Sequence, residues 1–248
     1  MNIYVCVSQV PDTETRIKVA ADGKSIEEND VNYILNPYDE LAVEEALKLK
    51  EANGGEVTVI SVGNDAIINT IRKALAMGAD KAVHIKTTEI FDGFAAAESV
   101  ANYLKDKNAD IVLTGKESVD TNSSQFATFL GAMLDFSVIN VCVKLEISGK
   151  SVKAEREIEG GKEILEASLP AVVACQKGLN EPRLPTLKGI MASKTKKPEE
   201  VALTAANLHT QIVGLTKPAA KSAGKIVGTD VASVPALIDL LQNEAKVI

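Results

Sequence analysis

Short runs of β-branched residues alternate with longer segments of helical spacing from residue 1 to about residue 140. Strands joined by helices of this length require right-handed crossovers, which place the strands parallel in one sheet with both faces covered. The sequence therefore predicts an α/β fold built on a parallel sheet. The expected strands are Ile3–Ser8, Glu56–Val62, Lys81–Ile85 and Asp110–Thr114.

Helices are predicted between these strands. Apolar residues recur at helical spacing from Ile67 to Gly78 and from Phe94 to Leu104, and another apolar face lies within Pro37–Ala52. Asn36, immediately before Pro37, is typical of a helix start, because Asn can cap the first turn and Pro needs no N–H there.

The pattern changes after residue 137. Strand-like runs occupy residues 138–175, separated by turns at Ser148–Lys150 and Glu159–Lys162, so this hairpin block is predicted to be antiparallel. Residues 178–200 contain three prolines and little periodicity. They are predicted to form an extended surface loop.

Residues 201–248 are predicted to form a C-terminal arm that ends in a helix, whereas residues 1–200 form the α/β domain. Ser233 stands at the expected cap and Pro235 lies in the first turn. A lone amphipathic helix must bury its apolar face, either on the core of its own chain or on a partner. That face comprises Leu237, Ile238, Leu241 and Ala245.

Composition limits the functions that such a chain can have. Cys6, Cys142 and Cys175 show no Cys-x-x-Cys spacing, which favours reduced thiols in a cytoplasmic protein over a disulfide framework or a zinc site. The formal net charge is −7, so nucleic acid is not expected as a partner. Neither a membrane-spanning run nor a signal-peptide pattern is found, so we expect a cytoplasmic location and no membrane insertion.

Motifs for catalysis and for metal binding are absent from the sequence. There is no zinc-protease motif and no nucleophile elbow. His84 lies in a strand pattern and His209 in the arm, and we interpret both as structural. We therefore predict no catalytic residue and no metal site.

The clearest local signal for a ligand follows the fourth predicted strand. The dinucleotide fingerprint is missing, and Gly115-Lys116 fails as a P-loop because Glu117 stands where Ser or Thr is required. Residues 115–125 nevertheless form a hydroxyl-rich loop that opens a helix, where N–H groups and the helix dipole favour a phosphate. The same residues also suit a simple helix cap, and both interpretations remain open. Asn36–Glu40 opens another helix at the same expected rim of the sheet.

Several longer motifs, in chain order, resemble those of the electron transfer flavoprotein β subunits. The similarity extends from residue 2 to about residue 200, whereas the arm is similar only in its length and its closing helix. The motifs are Asn36–Ala46, Ala74–Asp80, Ala154–Leu165 with Leu169–Ala174, and Leu179–Arg183.

The resemblance implies an adenine-nucleotide-binding fold of the HUP or Rossmann-like kind. It also implies a heterodimer in which the larger electron transfer flavoprotein α subunit holds most of a redox FAD and contacts residues 201–248. The β subunit of most members buries AMP in a structural role. Residues matching that pocket are Cys6, Asn36, Pro37, Tyr38, Asp39, Val62, Gly115, Asp120, Thr121, Asn122, Ser123, Ser124 and Gln125, and those matching positions near the flavin are Thr13 and Tyr38.

The family presents a docking loop to its partner dehydrogenases. Residues 183–198 are similar to that loop, and Leu187 falls at its anchor position. The resemblance therefore implies a redox carrier without its own catalytic site. Electrons would pass from acyl-CoA or related dehydrogenases to FAD, and onward to a quinone oxidoreductase or another acceptor.

The resemblance leaves alternatives for the ligand. Asp120–Ser124 matches neither the aspartate run of AMP-binding members nor the Asp-Gly-Asp-Thr run of bifurcating members, which hold a second FAD and accept hydride from NADH. Gln9–Thr13 is similar to the bifurcating kind and Asn36–Glu40 to the AMP-binding kind. AMP is the leading expectation and a second FAD the alternative. A stand-alone nucleotide-binding module is a further interpretation, against which the hairpin block and the docking loop argue.

Overall fold

The computed structural model describes residues 1–88, 92–203, 208–221 and 223–248. The strands in these ranges are β1 (Asn2–Cys6), β2 (Gln9–Pro11), β3 (Tyr33–Leu35), β4 (Glu56–Gly63), β5 (Lys81–Lys86), β6 (Ile111–Gly115), β7 (Ser137–Ser148), β8 (Ser151–Ile158), β9 (Gly161–Ser168), β10 (Ala171–Cys175) and β11 (Glu199–Ala202). The α-helices are α1 (Pro37–Asn53), α2 (Ile68–Met77), α3 (Gly93–Leu104), α4 (Phe126–Leu134), α5 (Leu187–Ser193) and α6 (Val234–Asp239).

The main sheet has the strand order β11-β5-β4-β1-β6-β10-β7-β8-β9, and β2 and β3 form a separate antiparallel pair. Neighbours are parallel from β11 to β7 and antiparallel from β7 to β9. The chain builds outward from β1 to β4 and β5, and then returns to the other side of β1 with β6. Ligands bind at such a reversal in open α/β sheets. The predicted α/β fold with a parallel sheet is confirmed.

Both faces of the sheet are covered by buried apolar side chains. One cluster joins α1 and α2 to the sheet through residues such as Leu47, Ile71 and Val59. The other includes Val100 of α3 and Ile60 of β4. Adjacent strand residues thus point to opposite cores, which explains why the strands are mainly apolar on both faces. Each fully buried aliphatic side chain contributes about 1.5–3 kcal/mol.

The hairpin block is antiparallel only in part. β7, β8 and β9 pair as predicted, but β10 lies between β6 and β7 and is parallel to both. All residues of Ala171–Cys175 are buried, as expected for a central strand covered on both faces. The prediction that β10 belongs to an antiparallel hairpin was wrong because turn residues mark a change of direction without showing which neighbour the next strand joins.

Residues 178–200 are not an extended loop throughout, because they contain α5 and the start of β11. Thr186 caps α5 by accepting a hydrogen bond from the N–H of Gly189 at 3.0 Å. A Cβ at Gly189 would lie 2.2 Å from the Ala76 carbonyl oxygen, so α5 lies tightly against the end of α2. A helix of seven residues close to Pro185 and Pro198 is too short to show periodicity in the sequence.

The segment before α5 is anchored on α1. The Arg183 guanidinium lies 2.8 Å from the Glu44 carboxylate and 2.6 Å from that of Glu51. These carboxylates raise the pKa of Arg183 above its ordinary value. Asn180 donates to the Leu41 carbonyl at 3.0 Å and to Glu45 at 2.8 Å. The helix that carries Leu187 is therefore held from both sides, by α1 and by α2.

The closing helix of the arm is present. A 3-10 turn at Val231–Ser233 leads into α6, and a π-helical turn at Leu240–Glu244 follows. Ser233 occupies the N-cap position of α6 as predicted, but its side chain makes no capping hydrogen bond, and the Asp230 side chain accepts from the N–H of Ser233. Leu237 and Ile238 each remain 43% exposed. Residues 204–207 and 222 of the predicted arm lie outside the described residues.

No helix within the described ranges is long and apolar enough to cross a membrane.

Candidate nucleotide-binding site

A cleft of about 1210 Å³ opens at the carboxyl ends of β1, β4 and β6, beside the reversal of strand order. Most of the residues predicted to bind a nucleotide line it: Cys6, Asn36, Asp39, Val62, Gly115, Asp120, Thr121, Ser123, Ser124 and Gln125. Pro37, Tyr38 and Asn122 are not among its lining residues. Segments far apart in sequence thus meet at one rim, as parallel strand ends require.

Asp39 joins three parts of the cleft floor. Its carboxylate accepts hydrogen bonds from the Ser8 N–H at 2.8 Å and the Ser8 hydroxyl at 2.7 Å. The N–H of Gly115 donates to its other oxygen at 3.0 Å. The chain after β1, the start of α1 and the end of β6 are therefore tied together by one buried side chain.

Burial raises the pKa of Asp39 to about 6, although hydrogen bonds from Ser8 and Gly115 act in the opposite direction. An acid with a raised pKa in the folded state stabilises the protein fully below its unfolded pKa of 3.8, and this contribution is lost as the pH rises through about 6. We expect the free energy of unfolding to fall by about 3 kcal/mol between pH 3 and pH 7 relative to the Asp39→Asn variant. Urea unfolding of both proteins across this range measures the difference, and a constant difference would contradict the assignment.

Asn36 occupies the cap position of α1, yet its side chain does not cap the helix. Its amide nitrogen donates to the Glu117 carbonyl at 2.9 Å, and its amide oxygen accepts from the Val119 N–H at 3.3 Å. The predicted helix start at Asn36 and Pro37 is confirmed, but the Asn36 side chain supplies no capping hydrogen bond. The side chain is fully buried, and its hydrogen bonds to backbone groups of the loop that follows β6 fix that loop against α1.

Gly115 is required by packing at the end of β6. A Cβ at this position would lie 2.4 Å from the Asp39 carboxylate and 2.7 Å from the Tyr38 Cβ. The backbone of β6 therefore approaches the start of α1 more closely than any side chain would allow. The sequence analysis placed this glycine at the start of the loop expected to favour a phosphate, and the structure adds a steric reason for a glycine there.

The loop before α4 contributes lining residues to the cleft and contains two residues of left-handed conformation. Asn122 and Ser124 adopt left-handed conformations with φ of 49° and 52°. The Ser124 hydroxyl donates to the Glu117 carboxylate at 2.7 Å. No side chain caps α4 at Gln125, so the first N–H groups of the helix lack a side-chain cap. Such groups at a helix N-terminus favour an anion.

The charges at the cleft are mixed. Lys116 lies 3.2 Å from the Glu117 carboxylate and 5.4 Å from the centre of the Tyr38 ring. Burial acts to raise the pKa of Glu117, but the Ser124 hydroxyl and Lys116 outweigh it and lower that pKa. Lys24 also lines the cleft, from the excursion between β2 and β3. Lys24 and Lys116 therefore place two cationic side chains at the cleft, the second of them paired with Glu117.

The part of the cleft beside α3 and α4 is apolar and aromatic. The rings of Phe94 and Phe129 meet edge to face, with centroids 5.4 Å apart. Ile60, Val62 and Phe126 add further apolar surface. An aromatic and aliphatic wall of this kind suits a planar base, while polar groups at the helix start suit its phosphate.

Sequence reasoning missed one wall of the cleft. Leu208–Ile212 of the arm line it, and the backbone N–H groups of His209 and Thr210 donate to Asp92 at 2.7 and 2.8 Å. Burial acts to raise the pKa of Asp92, but these bonds and the Ala95 N–H lower it overall. Asp92 could have been recognised as the cap of α3, since Asp often occupies that position. Nothing in the local sequence signals its contact with the arm.

The remaining candidate residues lie elsewhere. Thr13 is exposed in the turn after β2, and Tyr38 is half-buried at the start of α1. Leu187 opens α5 and is 79% exposed. His84 is fully buried and its Nε2 lies 2.9 Å from the Gly63 carbonyl oxygen. The interpretation of His84 as structural agrees with this position.

Comparison with known proteins agrees with the geometry. Residues 24–206 match the family model described as "Electron transfer flavoprotein domain". The chain is 39% identical over 259 residues to the electron transfer flavoprotein subunit beta of Bacillus subtilis (strain 168), with all of both chains covered. It is also 39% identical over 249 residues to that of Syntrophomonas wolfei, covering 100% of this chain and 98% of the relative. With the Dictyostelium discoideum subunit it shares 32% identity over 253 residues, covering 100% and 99% of the two chains. The chain therefore belongs to the electron transfer flavoprotein family, as a β subunit.

Proposed function

We propose that this chain pairs with an FAD-holding α subunit and that its own cleft binds AMP as a structural ligand. The observation that carries the proposal is the convergence of the candidate nucleotide-binding residues on one cleft at the reversal of strand order. The uncapped start of α4 suits a phosphate, and the wall formed by Phe94 and Phe129 suits an adenine.

The chain contributes positioning, while FAD, when bound, supplies the acceptance and release of electrons. Asn36 and Asp39 hold the loop after β6 and the chain after β1 in fixed positions. A nucleotide in this cleft would contact both segments together with α4. Its role is then to stabilise this rim of the sheet, which agrees with the absence of catalytic motifs in the sequence. We place this activity in the cytoplasm.

A second FAD in the same cleft is the alternative. Its volume of about 1210 Å³ exceeds the range of about 300–1,000 Å³ typical of small-ligand pockets. A dinucleotide would fill such a space more completely than a mononucleotide. In that case the heterodimer would oxidise NADH directly, which the simple carrier would not do.

We also propose that α5 and its flanking residues dock electron-donating dehydrogenases. Leu184, Leu187, Ile190 and Met191 are exposed by 41% to 87% and form an apolar docking surface. Patches of this kind mark interaction sites. Because Arg183 and Gly189 fix the segment on α1 and α2, the surface is preorganised for a partner.

Electron transfer by the reconstituted heterodimer tests the proposed function. We expect the chain, co-expressed with the α subunit of the same organism, to yield a yellow complex. An acyl-CoA dehydrogenase and its substrate should then bleach the flavin absorbance, and a quinone oxidoreductase should restore it. A complex whose flavin is reduced by NADH alone would favour the bifurcating alternative. A stable chain that binds nucleotide without any α subunit would favour the stand-alone module.

A further inference from the structure

We propose that Asp92 is a positioning residue for the nucleotide, because it holds the arm segment Leu208–Ile212 in place as a wall across the cleft. The inference rests on the proposed function, since it takes the ligand of the cleft to be an adenine nucleotide.

The two oxygens of Asp92 have separate tasks. Oδ1 accepts the Ala95 N–H at 2.8 Å and so caps α3. Oδ2 accepts the His209 N–H at 2.7 Å, the Thr210 N–H at 2.8 Å and the Thr210 hydroxyl at 3.1 Å. A helix cap needs only the first of these bonds. The other three join the helix to a segment 117 residues away.

Two further contacts fix the same segment across the cleft. The His209 ring lies with its centroid 4.0 Å from that of Phe94, which is itself part of the cleft wall. Beyond the segment, the Leu215 N–H donates to the Gly23 carbonyl at 2.8 Å. Gly23 precedes Lys24, which lines the cleft from the other side. The arm therefore spans from α3 to the excursion between β2 and β3.

Because the arm lines the cleft, we expect a bound nucleotide to contact it and to leave more readily once the arm separates from Asp92. All residues of Leu208–Ile212 line the cleft, so a ligand in the cleft would lie against this segment of the arm. Hydrogen bonds to an ionised acceptor are stronger than neutral ones. The bonds at Oδ2 should therefore slow nucleotide release, and their loss should speed it while the rest of the sheet stays intact.

The Asp92→Asn variant separates the two tasks. Asn caps helices as well as Asp does, so its Oδ1 retains the bond to Ala95. Its amide NH₂ then replaces Oδ2 and faces two backbone N–H groups, which are also donors. Thr210→Val removes the hydroxyl bond alone, and Thr210→Ser keeps it as the matched control.

The experiment uses the complex with its α subunit, loaded with radiolabelled AMP and chased with unlabelled AMP. We expect Asp92→Asn to raise the rate of AMP release at least about tenfold, Thr210→Val to raise it about threefold, and Thr210→Ser to leave it unchanged. FAD content, measured in parallel, should remain as in the unaltered complex.

Equal release rates from the unaltered and Asp92→Asn complexes would overturn the role of Asp92 and leave the proposed function standing. A faster release accompanied by loss of FAD would also overturn it, because a general loosening would then account for the change. An unaltered complex that retains no AMP would overturn the proposed AMP site together with the inference.

Discussion

Replacing Gly115 by Ala should destabilise the protein by about 3 kcal/mol and abolish retention of the nucleotide. The new Cβ would lie 2.4 Å from the Asp39 carboxylate and 2.9 Å from the Tyr38 carbonyl carbon. The second contact is with backbone, so a side-chain rotation cannot relieve it. The end of β6 must move away from α1, and the hydrogen bond from the Gly115 N–H to Asp39 is then lost.

Gly161→Ala is the matched control for this substitution. Gly161 lies at the start of β9, and a Cβ there would meet nothing within 4 Å. Urea unfolding measures the stability of both variants, and chromatography of the denatured complexes measures the nucleotide. A Gly115→Ala chain with native stability and native nucleotide content would show that the close approach of β6 to α1 is unimportant.

Replacing Leu187 by Ala should slow electron transfer from the dehydrogenase to the flavin while the FAD content stays the same. The side chain is 79% exposed at the first position of α5, so its loss removes little from the core of this chain. A leucine buried in a partner's pocket acts as a hot spot and contributes about 2 kcal/mol or more to binding. We therefore expect the concentration of dehydrogenase needed for half-maximal rate to rise about 30-fold.

Leu184→Ala is the control for the docking surface. Leu184 is 87% exposed and belongs to the same surface, but it does not occupy the anchor position. Its substitution should have a much smaller effect on flavin reduction by the dehydrogenase. Loss of flavin from the Leu187→Ala complex would contradict the docking assignment, and so would equal effects of the two substitutions.

The central sheet and the floor of the cleft could be predicted from the sequence because both depend on local signals. β1, β4, β5 and β6 are mainly apolar runs, and the residues that follow parallel strands meet at one edge. The expected position of Gly115 at that edge follows from this rule, whereas Cys6 and Val62 were expected there from the resemblance to the family.

Features that depend on long-range pairing could not be predicted in this way. β10 looks like another hairpin strand, and only its neighbours β6 and β7 show that it is parallel. Asn36 is a residue type that often caps helices, but its side chain donates a hydrogen bond to a loop carbonyl 81 residues away. The contact between Asp92 and the arm spans an even longer separation. Local patterns carry no information about which distant polar group will be buried nearby.

The nucleotide content of the purified heterodimer tests the central claim most directly. The chain should be co-purified with its α subunit, the complex denatured, and the released nucleotides counted by chromatography. We expect one FAD and one AMP per heterodimer. Two FAD and no AMP would contradict this expectation and make the cleft beside Gly115 a redox site.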